Sequence, residues 1–162
     1  MQVYLGADKP LFILYVPRHI PYKDLEKLEQ TRALNPLELS EVLSACSNDW
    51  RKICSTFSKV LCKTLSYSGT WQEYMETVFL QKHGNECMVF SSSLLQIPSA
   101  VHVIGGKAFA QSFDFGTRIF SPISDENKLL RSGRIFLTPY LDYRQFPNVL
   151  IDCLVTELKK IY

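Results

Sequence analysis

The chain has 162 residues, 46% apolar and 21% charged, with eighteen bases against sixteen acids and a formal net charge of +2. Those proportions exclude a disordered chain, and the near balance of charge excludes nucleic-acid or membrane binding driven by bulk electrostatics, leaving room only for a local basic patch. No apolar run reaches the roughly 18 residues of a membrane span, no basic-then-apolar export signal opens the chain, and the length suits one α/β domain over residues 1–162.

In chain order, Leu11–Val16 is an apolar run of strand length, ended by Pro17-Arg18-His19. A continuous run of this kind suits a strand covered on both faces. Tyr22–Arg32 has helical spacing, with Leu25 and Leu28 on one side. Asn35-Pro36-Leu37-Glu38 is a helix start, with a glutamate three residues after the cap, leading to Leu39, Val42 and Leu43. Ser47-Asn48-Asp49 opens the longest periodic stretch, in which Trp50, Ile53, Cys54, Phe57, Val60, Leu61 and Leu65 share one face. Thr70-Trp71-Gln72-Glu73 is a capping box leading into Tyr74, Met75, Val78 and Phe79, and Gly84-Asn85 ends that helix.

After these helices the pattern changes. Met88–Phe90 reads as a short strand before Ser91-Ser92-Ser93, and Val101–Ile104 as another before Gly105-Gly106-Lys107 and a helix over Ala108–Phe113. Thr117–Phe120 is expected as a brief strand and Ser121–Arg131 as polar surface. Ile135–Thr138 is the last strand, and Pro147 opens a closing helix over Asn148–Ile161 with Val149, Leu150, Cys153, Leu154 and Leu158 inward. Strands separated by helices favour crossovers and parallel pairing. The expected fold is therefore a three-layer sandwich, with a short, mostly parallel sheet of four to five strands flanked by helices.

Parallel strands would bring the residues that follow them to one edge, where open α/β sheets bind ligands. Four exits result: Arg18 with His19, Ser91 to Ser93, Gly105-Gly106-Lys107, and Tyr140 to Gln145. Gly105, Gly106 and Lys107 could present backbone N–H groups and a charge to an anion, or simply make a tight turn. Arg18 and Arg144 could clamp a phosphate or carboxylate, and Tyr140 and Tyr143 could stack on a ring, as in single-strand recognition. Asp142 is the candidate base, or else a backbone cap; His19 is the one histidine at an exit.

Several chemistries lack their residues. The glycine pair is neither a Walker A loop nor Gly-x-Gly-x-x-Gly. A serine hydrolase built on Ser91–Ser93 with His19 lacks the Gly-x-Ser-x-Gly elbow, and no histidine–carboxylate cluster has metal-ligand spacing, so no cofactor or metal is expected. Cys46, Cys54 and Cys62 are eight apart, near one helical stripe, and with Cys87 and Cys153 make an odd five without Cys-x-x-Cys. They read as reduced core thiols of a cytoplasmic protein. A chain that is 12% aromatic also has enough for a protein-binding surface or a homodimer.

As a whole the chain resembles the small uncharacterised bacterial protein families. In layout it also resembles the uracil-DNA glycosylases, single α/β domains whose site loops follow the strands of a short parallel sheet. Their strand-glycine-helix segment is similar to Val101-His-Val-Ile-Gly-Gly-Lys-Ala-Phe109. Their strand, proline-containing loop and closing helix are similar to the segment from Ile135 to Asn148. Thr138-Pro139-Tyr140 has the proline of their His-Pro-Ser loop without its histidine, and Val16-Pro17-Arg18-His19 has no water-activating carboxylate or asparagine. The resemblance thus implies a glycosylase-like fold with lost or altered activity, and the cations and tyrosines at the exits point to a nucleotide-like or other anionic ligand, or to single-stranded nucleic acid.

Overall fold

A wholly apolar run is most stable as an inner strand, and the computed structural model, which describes residues 2–162, sets four such runs side by side. In chain order the elements are β1 (Leu5–Gly6), β2 (Phe12–Tyr15), α1 (Glu38–Ala45), α2 (Asn48–Thr64), α3 (Trp71–Thr77) and β3 (Glu86–Val89). Then follow β4 (Val101–Gly105), α4 (Lys107–Ala110), β5 (Ser121–Pro122), β6 (Leu130–Ser132), β7 (Ile135–Thr138) and α5 (Asn148–Lys159). One seven-stranded sheet runs β1-β3-β2-β4-β7-β6-β5. Its centre, β3-β2-β4-β7, is parallel; β1 joins one side antiparallel, and β6 and β5 extend the other antiparallel.

The α/β class holds, with a correction to the sheet: it is mixed and has seven strands, not four to five mostly parallel ones. β1 and β5 have two residues each, too few for any alternation to mark them. Thr117–Phe120 is loop, and the segment expected as polar surface supplies β5 and β6. Tyr22–Arg32 is also corrected, since only a 3-10 turn forms at Lys23–Lys27. Leu25 and Leu28 are the sole buried apolar residues there and make no continuous stripe, and Arg32 instead ties Asp24 (2.9 Å) to Glu38 (2.7 Å).

Elsewhere local chemistry produces the expected helices. The Glu38 carboxylate accepts the Asn35 backbone N–H at 2.9 Å, which starts α1, and the Thr70 hydroxyl accepts that of Glu73 at 3.2 Å, which starts α3. In α2 the whole face from Trp50 to Leu61 is buried as its spacing requires. In α5 the buried stripe is Leu150, Ile151, Leu154, Val155 and Leu158, which leaves Val149 73% exposed rather than inward. Cys54 and Cys62 lie on α2, whereas Cys46 only follows α1 and so leaves the expected stripe. All five thiols are free; Cys54 and Cys87 are buried, the other three partly so.

α1, α2, α3 and α5 cover one sheet face, meeting Phe12, Leu14, Met88, Val101, Val103 and Phe136. Ile13, Tyr15, Val89 and Ile104 point the other way, towards Ala110 and Phe113. There are three layers, then, but the second outer one is only α4 and loops. Its anchor is polar. The Tyr15 hydroxyl accepts the Leu95 N–H at 3.0 Å and donates to His102 Nδ1 at 2.7 Å, while His102 Nε2 donates to the Ile97 carbonyl at 3.1 Å. This chain fixes a neutral imidazole and pins the segment before β4 to the sheet. Burial, with the charge of Arg118 beside it, holds the His102 pKa below its ordinary value. Tyr15→Phe strands the Leu95 N–H and His102 Nδ1, so urea unfolding should register a loss of about 2 kcal/mol.

Candidate functional site

Because β2, β3, β4 and β7 are parallel and paired through Tyr15↔Val89, Tyr15↔Ile104 and Gly105↔Thr138, all four predicted exits lie along one edge of the sheet. The side chains there divide into three groups.

The first group lines a cleft of about 820 Å³ at the ends of β4 and β7, and of the predicted exit residues it holds Lys107, Tyr140, Arg144 and Gln145. Gly105 and Gly106 shape its edge. A side chain at Gly105 would run into Leu141, which is 2% exposed, so glycine lets the loop after β7 close down on the strand end. Gly106 has φ of +105°, which few side chains adopt, and turns the chain into α4. Phe113 and Phe115 from the thin layer, and Glu126, Asn127 and Lys128 from the turn between β5 and β6, complete the walls. Sequence reasoning missed these, since nothing in a polar segment shows that it folds back over the sheet end. Glu126 and Asn127 are consecutive left-handed residues (φ +60° and +56°), which make a tight turn in this wall. Lys128 pairs with Glu126 at 3.5 Å, while Lys107 and Arg144 have no carboxylate partner among the described residues.

The second group faces α2. Asp142 Oδ1 accepts the Arg144 backbone N–H at 2.8 Å, and Oδ2 receives Lys52 Nζ at 3.5 Å. The Asp142 carbonyl accepts the N–H groups of Gln145 and Phe146, and the buried Phe146 ring anchors the turn. That backbone N–H first, and the Lys52 charge after it, hold the Asp142 carboxyl below the usual carboxylate range. Lys52 also lies 5.1 Å from the centre of the Tyr143 ring. Arg18 stands 4.7 Å over the Trp50 ring and pairs with Asp49 at 3.5 Å, again on α2.

The third group is at the β2 and β3 exits. His19 stacks on Phe90 with centroids 4.8 Å apart, and Ser91 Oγ accepts from the Gln2 side chain at 2.9 Å. Arg18, His19, Ser91, Asp142 and Tyr143 thus share the edge without lining the cleft. Among the described residues no group of three or more His, Cys, Asp or Glu could hold a metal ion, and no helix is long and apolar enough to cross a membrane.

The model of one protein family, described as a family of unknown function (DUF6942), matches residues 3–159. No curated protein and no solved structure matches the chain.

Proposed function

Since the chain belongs to a family of unknown function (DUF6942), its activity must be sought in its own residues, and we propose that it binds a nucleotide-like, anionic ligand in the cleft at the ends of β4 and β7. The observation that carries this reading is the cleft itself: two cations without a carboxylate partner, Lys107 and Arg144, border one concavity with aromatic walls from Phe113, Phe115 and Tyr140. Cations of that kind hold a phosphate, and a flat aromatic wall holds a base or sugar by stacking. The volume of about 820 Å³ is ample for a mononucleotide or the end of a single strand.

In this reading Asp142, with both oxygens engaged, positions Arg144 and Tyr143, while Arg18, His19 and Ser91 border the path by which a longer ligand would leave. The likeness to a glycosylase layout with lost or altered activity draws support from the four parallel strands and the loops at their carboxyl ends. It draws support too from the β2 exit, where Pro17-Arg18-His19 brings no carboxylate. Five free thiols favour the cytoplasm as the compartment.

Fluorescence titration of adenosine monophosphate and of a labelled single-stranded oligodeoxynucleotide tests the site. Lys107→Ala and Arg144→Ala should each weaken binding about tenfold with the melting temperature unchanged. Unaltered affinity in both variants would remove the site. A second reading, an interaction module or homodimer, rests on Tyr143 and Val149, which are 56% and 73% exposed near the start of α5. A stable dimer in light scattering, with no response to either ligand, would favour it.

A further inference from the structure

A second hollow, of about 440 Å³, opens at the opposite ends of the same strands, away from the proposed ligand cleft. His102, the second residue of β4, and Ile135, the first of β7, form part of its wall, with Gln96 and Pro98 from the segment that Tyr15 and His102 pin down. The charged side chains lining it are Arg118 and Arg134, and no carboxylate lines it. Neither arginine forms an ion pair among the described residues.

Both guanidiniums lie near the hollow, and that of Arg134 is held there. Arg134 Nη1 donates to the Ser99 carbonyl at 3.1 Å, and its guanidinium lies over the Tyr162 ring at 5.8 Å. Arg118 Nη1 comes within 3.8 Å of where a Cβ would stand at Gly133, the residue beside Arg134. Two like charges therefore converge on one concavity without a counter-charge, an arrangement whose repulsion a bound anion would relieve. His102 is not a ligand candidate, because Tyr15 and Ile97 occupy both ring nitrogens.

We propose that this hollow binds a phosphate group, carried on a small polar molecule, between Arg118 and Arg134. A phosphate dianion matches two guanidiniums in charge, and its several oxygens can accept from two planar forks at once. The volume leaves room for more than the phosphate itself, so the group is one end of a larger ligand.

His102 reports on the site, because Arg118 helps to hold its pKa down and an anion there would offset that charge. The test is an NMR titration of the histidines of the full chain at constant ionic strength, with inorganic phosphate and, separately, acetate. Phosphate should move the His102 titration to higher pH, with acetate giving at most a much weaker response. Arg118→Gln should raise the His102 pKa without phosphate and abolish the response to it. Arg134→Lys keeps the charge but loses the fork, and should weaken the phosphate response about tenfold. The Lys107→Ala, Arg144→Ala double variant should respond like the parent. A His102 titration indifferent to phosphate, equal responses to phosphate and acetate, or a response lost in the Lys107/Arg144 double variant would each overturn the proposal.

Discussion

Glu86→Gln should remove a loss of stability of about 3 kcal/mol that the buried carboxyl imposes on the parent chain between about pH 4.5 and pH 7. Glu86 begins β3 and is fully buried; Oε2 accepts the Asn85 backbone N–H at 2.8 Å, and Oε1 has no partner. Burial dominates and pushes its carboxyl up to about 7 from an ordinary 4.5, although Tyr74 and that backbone N–H favour the ionised form. Below pH 4.5 the carboxyl is protonated both folded and unfolded, and nothing is lost. As pH rises towards 7 the unfolded chain ionises first, so the folded state loses stability until the buried group ionises too. Glutamine cannot ionise, and its own packing cost is the same at every pH. The difference between the two unfolding curves therefore isolates the carboxyl from groups of opposite tendency, such as Glu38, which Arg32 holds low. Urea unfolding at several pH values gives the answer directly. Parallel profiles for the two proteins would mean that Glu86 is hydrated in the native state.

The second large effect is expected at Gly6→Ala, a loss of about 4 kcal/mol. Gly6 has φ of +139°, where an alanine is strained by about 2 kcal/mol. An added Cβ would also stand 2.5 Å from the Glu86 carbonyl oxygen and 2.6 Å from Cys87 Cα, both rigid backbone of β3. Relieving that overlap means moving β1 off its partner, at about 2 kcal/mol more. The midpoint of urea unfolding should fall with the slope unchanged. An unchanged midpoint would show that β1 contributes nothing to the cooperative fold.

These two residues also show where the sequence stops being legible. The four parallel strands could be read because each is a compact apolar run between turn residues, and α2 because its buried face repeats over seventeen residues. From the strands followed the shared edge, and with it Lys107, Tyr140 and Arg144. Glu86 stayed hidden because a carboxylate at the head of an apolar run reads as its boundary, and only tertiary burial makes it a strand residue. β1 depends on β3, distant in the chain (Leu5↔Met88), while β5 and β6 depend on folding back onto the nearby β7, because their own side chains are few, exposed in β5 and half-buried in β6. The same dependence concealed the wall at Glu126–Lys128. Asp142 could be read as a base or as a backbone cap; it caps the Arg144 N–H and also meets the Lys52 side chain, an arrangement set by how the loop closes onto α2.

The antiparallel strands at the two borders of the sheet have a consequence for solubility. Parallel strands as apolar as β2 and β3 would, if left at a border, be templates for joining one molecule to the next. Here the outermost strands are the two-residue β1 and β5, and β5 contains Pro122, which has no N–H to donate. Such short, interrupted margins offer little hold for intermolecular strand addition, so the aggregation-prone centre is shielded by the least regular segments of the fold.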